Sequence, residues 1–173
     1  MIKKIILGLL ALIVAVTAIF LAPAILKPTL TNESRVTINK PREEVWKKFM
    51  DSSKMGEWLI GFKSIEPVSG EPNKVGSKYK ITIEENGEQM EAFETVKEIV
   101  ENEKFAFELA NDMVSDDIIV TFVNRGLTTE VVQSETINAK GIVWKALFYW
   151  MQSTITKRSQ ENLNNLKKYI EGN

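Results

Sequence analysis

The segment that decides the fold is residues 139–171, AKGIVWKALFYWMQSTITKRSQENLNNLKKYIE. It contains no proline, and its one glycine, Gly141, stands near its start. Apolar side chains recur through it with the period of an α-helix, at Trp144, Phe148, Met151, Ile155, Leu163, Leu166 and Ile170. The pattern predicts one helix of about 30 residues. Its second half is narrowly amphipathic, so we expect one face to be buried against the rest of the domain.

The chain before this helix alternates polar and apolar residues in short runs, as strands with one buried face do. The clearest run is Lys78–Glu85, and Asn86-Gly87 after it is a typical hairpin turn because both residues tolerate positive φ. The other predicted strands lie at residues 35–39, 62–68, 88–100, 103–110, 116–123 and 127–136. About seven strands joined mostly by short turns indicate an antiparallel meander.

A short helical segment separates the first predicted strand from the others. Pro41 suits the first turn of a helix, where its missing N–H costs nothing, and Glu43 and Glu44 complement the helix dipole there. A second helical turn at residues 53–57 leads into Trp58. The element order predicts an α+β fold, in which a curved antiparallel sheet wraps round the long C-terminal helix.

The N-terminal segment is entirely apolar. Residues 5–26 read IILGLLALIVAVTAIFLAPAIL, and a helix of that length, at ~1.5 Å per residue, crosses a ~30 Å hydrocarbon core. Lys3 and Lys4 precede it, which favours an N-terminus inside and a soluble domain outside the cell membrane. We therefore expect a transmembrane anchor at residues 1–27, a linker at 28–33 and one soluble domain at 34–173.

Two alternatives to a permanent anchor remain. Ala22-Pro23-Ala24 matches a small-x-small cleavage site, so a secreted protein cleaved near Ala24 is the first. The apolar run is longer than the usual signal-peptide core of about 7–15 residues, which favours the anchor. The second is a helix buried in a soluble core, and a helix that is apolar on every face is hard to house in a domain of this size.

Composition excludes several classes of chemistry. The chain has 173 residues, a net charge of −1, no cysteine and no histidine. Disulfide frameworks, thiol nucleophiles, Ser-His triads and most zinc sites are thereby removed. Without Lys3 and Lys4 the remainder carries a net charge of −3, which argues against a nucleic-acid partner. We expect no metal site and no cofactor.

Many glutamates cluster around the predicted hairpin of residues 78–100. In this arrangement they point to different faces and edges, so we expect a solvated surface and no convergent metal site. The set comprises Glu84, Glu85, Glu88, Glu91, Glu94, Glu98, Glu101 and Glu103.

The segment Val36–Trp46, VTINKPREEVW, resembles the opening of the SRPBCC superfamily, the START-like or polyketide cyclase/dehydrase-type helix-grip proteins. Members often begin with a strand followed by Pro-x-x-x-Val-Trp on the first helix. Trp58 and Gly76 match further positions of the family, and Leu163–Tyr169 resembles the end of its C-terminal helix. The similarity spans residues 34–171, nearly all of the predicted soluble domain.

The resemblance implies a hydrophobic cavity between the sheet and the C-terminal helix. Family members bind lipids, sterols, hormones or polyketides there, and a minority catalyse aromatic cyclisation. The same side chains are also expected if they simply fill a packed core, and no catalytic set of the family maps onto this chain. The candidate cavity residues are Trp58, Phe62, Tyr79, Phe107, Phe122, Trp144, Phe148 and Met151.

The leading hypothesis is a membrane-anchored domain that binds a hydrophobic small molecule or lipid. One alternative is an enzyme like the polyketide cyclases and dehydratases, which needs polar titratable groups converging inside the cavity. The other is a membrane-tethered interaction domain with a fully packed core. Tyr79 is the predicted cavity residue that can also donate a proton, although a tyrosine on an apolar strand face is usually structural.

Overall fold

The computed structural model describes residues 2–85 and 87–172. Within them the helices are α1 (Ile2–Leu26), α2 (Arg42–Phe49) and α3 (Gly141–Glu171), with a short 3-10 helix at Ser52–Glu57. The strands are β1 (Leu30–Ile38), β2 (Phe62–Ser69), β3 (Lys78–Glu85), β4 (Glu88–Val100), β5 (Lys104–Ala110), β6 (Val114–Asn124) and β7 (Thr129–Ala139). This is the helix-grip architecture that the sequence predicts.

The seven strands form one antiparallel sheet in the order β1-β7-β6-β5-β4-β3-β2. Strands β2 to β7 follow one another as a meander, and β1 joins the far edge by pairing with β7, where Leu30 lies opposite Ile137. The pairing of β4 with β5 shifts register between Val96 and Glu98, as a β-bulge does. Such a bulge bends the longest strand and adds to the curvature of the sheet.

The C-terminal half of α3 packs into the concave face of this sheet. Leu163, Leu166 and Ile170 recur at helical spacing and are almost fully buried. They join Val120 and Phe122 of β6 in the hydrophobic core. The first half of α3 is different, because within it only the small side chain of Ala146 is buried.

Helix α2 and the 3-10 helix cover the other part of the concave face. Val45 and Trp46 form the buried side of α2, and the Trp46 ring meets Phe122 edge-on with 5.2 Å between centroids. Phe49 stacks on Trp58 at 5.7 Å. These ring contacts fix the short helices over β4 to β6.

Helix α1 projects from the domain and contacts it only near its end. Most of its side chains are exposed, whereas Ala24 is buried. The Trp150 indole N–H of α3 donates to the Phe20 carbonyl at 3.2 Å, and Lys27 lies over the Tyr149 ring. The helix is long and apolar enough to cross a membrane, a property that anchors and signal sequences share.

The observed elements refine the sequence prediction at three places. Strand β1 begins at Leu30, inside the predicted linker, because Leu30 and Asn32 are buried where they pair with β7. Strand β7 extends to Ala139, beyond its predicted end. In the predicted Asn86-Gly87 turn, Gly87 has a positive φ, and Asn86 lies outside the described residues.

We expect Gly61, which closes the bend between the 3-10 helix and β2, to tolerate no side chain. Its φ is +74°, and an added Cβ would lie 2.5 Å from the Glu84 carbonyl oxygen. Gly61→Ala should lower the free energy of unfolding by about 2 kcal/mol or more. Gly76→Ala is the matched control, because its φ is +87° with no atom within 4 Å, and should cost only the backbone strain of about 1 kcal/mol. Equal losses in chemical unfolding would contradict the steric argument.

Candidate ligand-binding cavity

The sheet register aligns polar and apolar side chains in one row across the strands. Tyr79 of β3 lies opposite Glu94 of β4, Glu94 opposite Leu109 of β5, Leu109 opposite Asp116 of β6, and Asp116 opposite Ile137 of β7. Directly opposed residues point to the same face of a sheet, and neighbouring strands lie about 4.8 Å apart. The row therefore carries two carboxyl groups on the concave face, separated by the intervening strand β5.

The larger cavity in this face has a volume of about 160 Å³. It lies between strands β2 to β5 below and α2 with the 3-10 helix above, and no residue of α3 lines it. Most of its wall is apolar or aromatic, as in small-molecule sites in general. The lining residues are Phe49, Met50, Ser52, Met55, Trp58, Ile65, Pro72, Asn73, Tyr79, Glu94, Val96, Phe105 and Phe107.

Two polar groups in this wall are buried without compensation. Glu94 is only 6% exposed, and burial raises the pKa of its carboxyl to about 7 with no neighbouring cation to oppose the shift. Trp58 is 8% exposed, and its buried indole N–H has no hydrogen-bond acceptor among the described residues. Tyr79 is already engaged, since its hydroxyl accepts from the Asn73 backbone N–H at 3.1 Å.

A smaller cavity of about 130 Å³ lies between the sheet and the first half of α3. Phe148 and Ile155 of α3 form one wall, and Leu109 and Asp116 belong to the other. Burial, followed by the negative charges of Glu135 and Asp117, raises the pKa of the Asp116 carboxyl to about 7. Its Oδ1 is buried without a partner in the described part of the chain.

Glu135 of β7, whose negative charge helps to raise the pKa of Asp116, has hydrogen-bond partners at both carboxylate oxygens. Ser159 of α3 donates to one carboxylate oxygen at 2.6 Å, and Gln133 donates to the same oxygen. Asn32 of β1 donates to the other at 3.3 Å. Because these bonds join β1, β7 and α3, we assign Glu135 a structural role.

The eight candidate residues fall into three groups. Trp58, Tyr79 and Phe107 line the larger cavity, and Phe148 lines the smaller one. The other four line neither cavity: Phe122 is in the packed core, Phe62 and Trp144 are partly buried, and Met151 is 43% exposed. A direct ligand contact by any of the eight stays a prediction.

Two features of the site differ from the sequence prediction. The larger cavity is not between the sheet and α3, because Leu163, Leu166 and Ile170 fill that space. Glu94 was expected on the solvated surface and is buried, because it shares the inward parity of Val96 on β4.

Asp116 was missed as a site residue. The inward face of Ile118, Val120 and Phe122 continues back by two positions to Asp116, so its parity was the signal that could have identified it. An acidic residue at the start of a strand is expected to be solvent-exposed by composition alone.

The fold resembles solved structures of low sequence identity. TTHA0849 from Thermus thermophilus has a TM-score of 0.68 and 18% identity, with 82% of this chain and 97% of that chain covered. Zhui aromatase/cyclase from Streptomyces sp. R1128 has a TM-score of 0.70 and 12% identity, covering 83% and 94%. A protein of unknown function from Staphylococcus aureus, SA2116, gives 0.65 and 16%, covering 83% and 96%. These likenesses establish the fold.

No curated protein sequence matches this chain. A family model does, over residues 39–171, which include α2, α3, strands β2 to β7 and both cavities. The resemblance to the helix-grip proteins is thereby confirmed. The chain belongs to the family of Activator of Hsp90 ATPase homolog 1-like proteins.

Proposed function

We propose that this domain binds a hydrophobic small molecule in the larger cavity and that α1 holds the domain at a membrane. The observation that carries the proposal is the cavity of about 160 Å³ whose wall includes Phe49, Trp58, Phe105 and Phe107. Well-packed interiors contain few voids larger than a water molecule, and each apolar void costs stability. A cavity of this size, with a second of about 130 Å³ beside the first half of α3, supports a binding domain over a purely structural one.

The size of the cavity favours a compact ligand over an intact lipid. An engineered apolar cavity of about 150 Å³ holds one benzene molecule. An acyl chain would need α2 or the 3-10 helix to move away from the sheet, which would break the stacking of Phe49 on Trp58. Of the two ligand classes that the fold suggests, the small molecule is therefore the better fit.

The contacts of α1 support an anchor that is retained. Cleavage near Ala24 would remove the Phe20 carbonyl that accepts from Trp150 and would uncover the surface against which Ala24 is buried. Lys3 and Lys4 favour an orientation with the N-terminus inside and the domain outside the cytoplasmic membrane.

A second candidate function is acid–base catalysis on a bound ligand. Zhui, one of the similar structures, is an aromatase/cyclase. Glu94 and Asp116 favour this candidate, because a carboxyl with a pKa of about 7 is suited to exchange protons near neutral pH. The two carboxyls line different cavities, however, and Leu109 lies between them. Binding is therefore the better supported function.

The binding proposal is tested on residues 29–173, which contain every strand and α3. After purification without detergent, native mass spectrometry should show a bound apolar molecule, or the domain should take up a hydrophobic dye. Ile65→Trp should reduce the dye affinity at least about tenfold, because Ile65 lines the cavity and the larger ring fills it. Ile119→Trp, an equal change at an exposed position, should have no effect. No bound molecule and no dye uptake would overturn the proposal.

The anchor is tested by the location and mass of the full chain in cells. We expect the intact 173-residue protein in the membrane fraction, where it resists extraction by alkaline carbonate. Residues 29–173 alone should be soluble, because they lack the apolar helix. A soluble product from the full-length gene that is about 24 residues shorter would instead support the cleaved signal peptide.

Burial of Glu94 and Asp116 should make stability depend on pH. Both pKa values are raised from below 5 to about 7, so the folded domain holds protons that the unfolded chain releases. The contribution of these two carboxyls to the free energy of unfolding should be largest below about pH 4.5 and be lost as the pH rises to about 7, with Glu94 accounting for about 3 kcal/mol.

The Glu94→Gln variant isolates that contribution. It should flatten the fall between pH 4.5 and 7 and raise stability at pH 8, because no buried charge then forms. Glu91→Gln on the same strand is the control, since Glu91 is exposed and paired with Lys80. Urea unfolding across this pH range measures the effect, and equal slopes for the two variants would refute the argument.

A further inference from the structure

The first half of α3 carries a row of large apolar side chains on the side that faces away from the sheet. They follow one another at helical spacing and are called the α3 stripe here: Val143, Leu147, Trp150 and Met151. Val143 is 58% exposed, Trp150 54% and Met151 43%, and Leu147 is half-buried. An exposed apolar row of this kind is typical of a surface that contacts a membrane or another protein.

The α3 stripe lies beside the end of α1. The Trp150 indole N–H donates to the Phe20 carbonyl at 3.2 Å, and the Lys27 ammonium lies 5.7 Å from the centroid of the Tyr149 ring. Phe20 precedes Leu26, the last residue of α1, by six positions. At about 1.5 Å per residue, Trp150 therefore meets α1 about 9 Å before the end of its apolar run. Helices in a membrane interface bury their apolar faces to a similar depth, about 5–10 Å.

The acidic residues of the chain avoid the two segments that meet at this contact. All 23 Asp and Glu residues lie outside residues 1–32 and 136–160, so α1 and the first half of α3 contain none. Asp112 lies in the turn between β5 and β6, where the Lys140 ammonium bonds to the backbone and supplies a cation. A surface without carboxylates is suited to anionic lipid headgroups, which would repel them.

We propose that the α3 stripe lies in the interfacial region of the bilayer that α1 crosses, and this rests on the anchor in the proposed function. The apolar side chains enter the boundary between headgroups and acyl chains, where tryptophan is enriched. The domain then has two contacts with the membrane, α1 and the stripe, and one side of it is held against the lipid surface.

The exposed side chains of α1 favour lipid over a protein partner at this surface. Ile19, Ile25 and Leu26 are exposed at the same end of α1, and Phe20 in this turn contacts Trp150. The apolar surface of α1 therefore adjoins the α3 stripe. A bilayer covers both surfaces at once, whereas a soluble partner that covers the stripe alone leaves these α1 side chains in water.

The test uses the full chain in lipid nanodiscs of phosphatidylethanolamine and phosphatidylglycerol. Because the chain has no cysteine, one introduced cysteine carries a fluorescent label at a chosen position. Val143→Cys and Met151→Cys report on the stripe, and Val14→Cys reports on the middle of α1. Leu127→Cys is the matched control, because Leu127 is 84% exposed and precedes β7, whereas α3 follows the other end of that strand.

Nitroxide-labelled lipids should quench the labels of Val143→Cys and Met151→Cys at least about threefold more strongly than that of Leu127→Cys, because only the stripe enters the interface. A water-soluble quencher should show the reverse order. Adding Val143→Asp to Met151→Cys should reduce the lipid quenching, because a carboxylate is costly in this region. Adding Leu127→Asp to Met151→Cys should leave the quenching unchanged.

The outcomes separate this inference from the proposed anchor. If lipid quenches the Val14→Cys label while the stripe labels and the Leu127→Cys label behave alike, the interfacial contact is wrong and the anchor stands. If the Val14→Cys label also escapes lipid quenching, the anchor is wrong and the inference fails with it. If the stripe labels are protected from both quenchers, a protein surface such as a second copy of the chain covers the stripe, and the lipid assignment is overturned.

Discussion

The packing of the C-terminal half of α3 against the curved sheet determines which part of this domain is a packed core and which part contains the larger cavity. Leu163, Leu166 and Ile170 lie on one helical stripe and are buried to about 1% exposure or less. They fill the space between this half of α3 and the sheet, where they join the hydrophobic core. The larger cavity lies instead under α2 and the 3-10 helix, where no residue of α3 packs against the concave face of the sheet.

The second consequence of this arrangement is the burial of carboxyl groups. A meander places every second residue of each strand on the concave face, and Glu94 and Asp116 have that parity. Glu135 has it as well, but its hydrogen bonds with Ser159, Gln133 and Asn32 compensate its burial. The difference between a satisfied and an unsatisfied buried carboxyl separates a structural role from a candidate functional one.

The sequence predicts the local elements well and the site only in part. The predicted bounds of strands β3 and β4 are confirmed at both ends, because their alternation and the turn between them are local signals. The start of β1 at Leu30 depends instead on a partner strand about 100 residues away.

A cavity depends on how side chains from distant parts of the chain pack together. Two aromatic residues with similar sequence patterns can therefore lie in different places, one in a cavity wall and one in the packed core. Trp58 lines the larger cavity, while Phe122 lies in the solid core because Trp46 packs on it. Glu94 was misassigned because composition places it at the surface and only its parity places it inside.

In the proposed function, α1 and the larger cavity constrain the ligand jointly. Compact apolar molecules partition into lipid, so a domain tethered beside a bilayer meets them at a higher local concentration than a free domain does. Helix α1 contributes no wall to the larger cavity, since it contacts the region around Tyr149 and Trp150. Any selectivity of the proposed site would then come from the cavity wall itself, which includes the buried Glu94 carboxyl with its raised pKa. In the proposed function, the anchor would determine where the ligand is met, and the wall of the larger cavity would determine which compact molecule is retained.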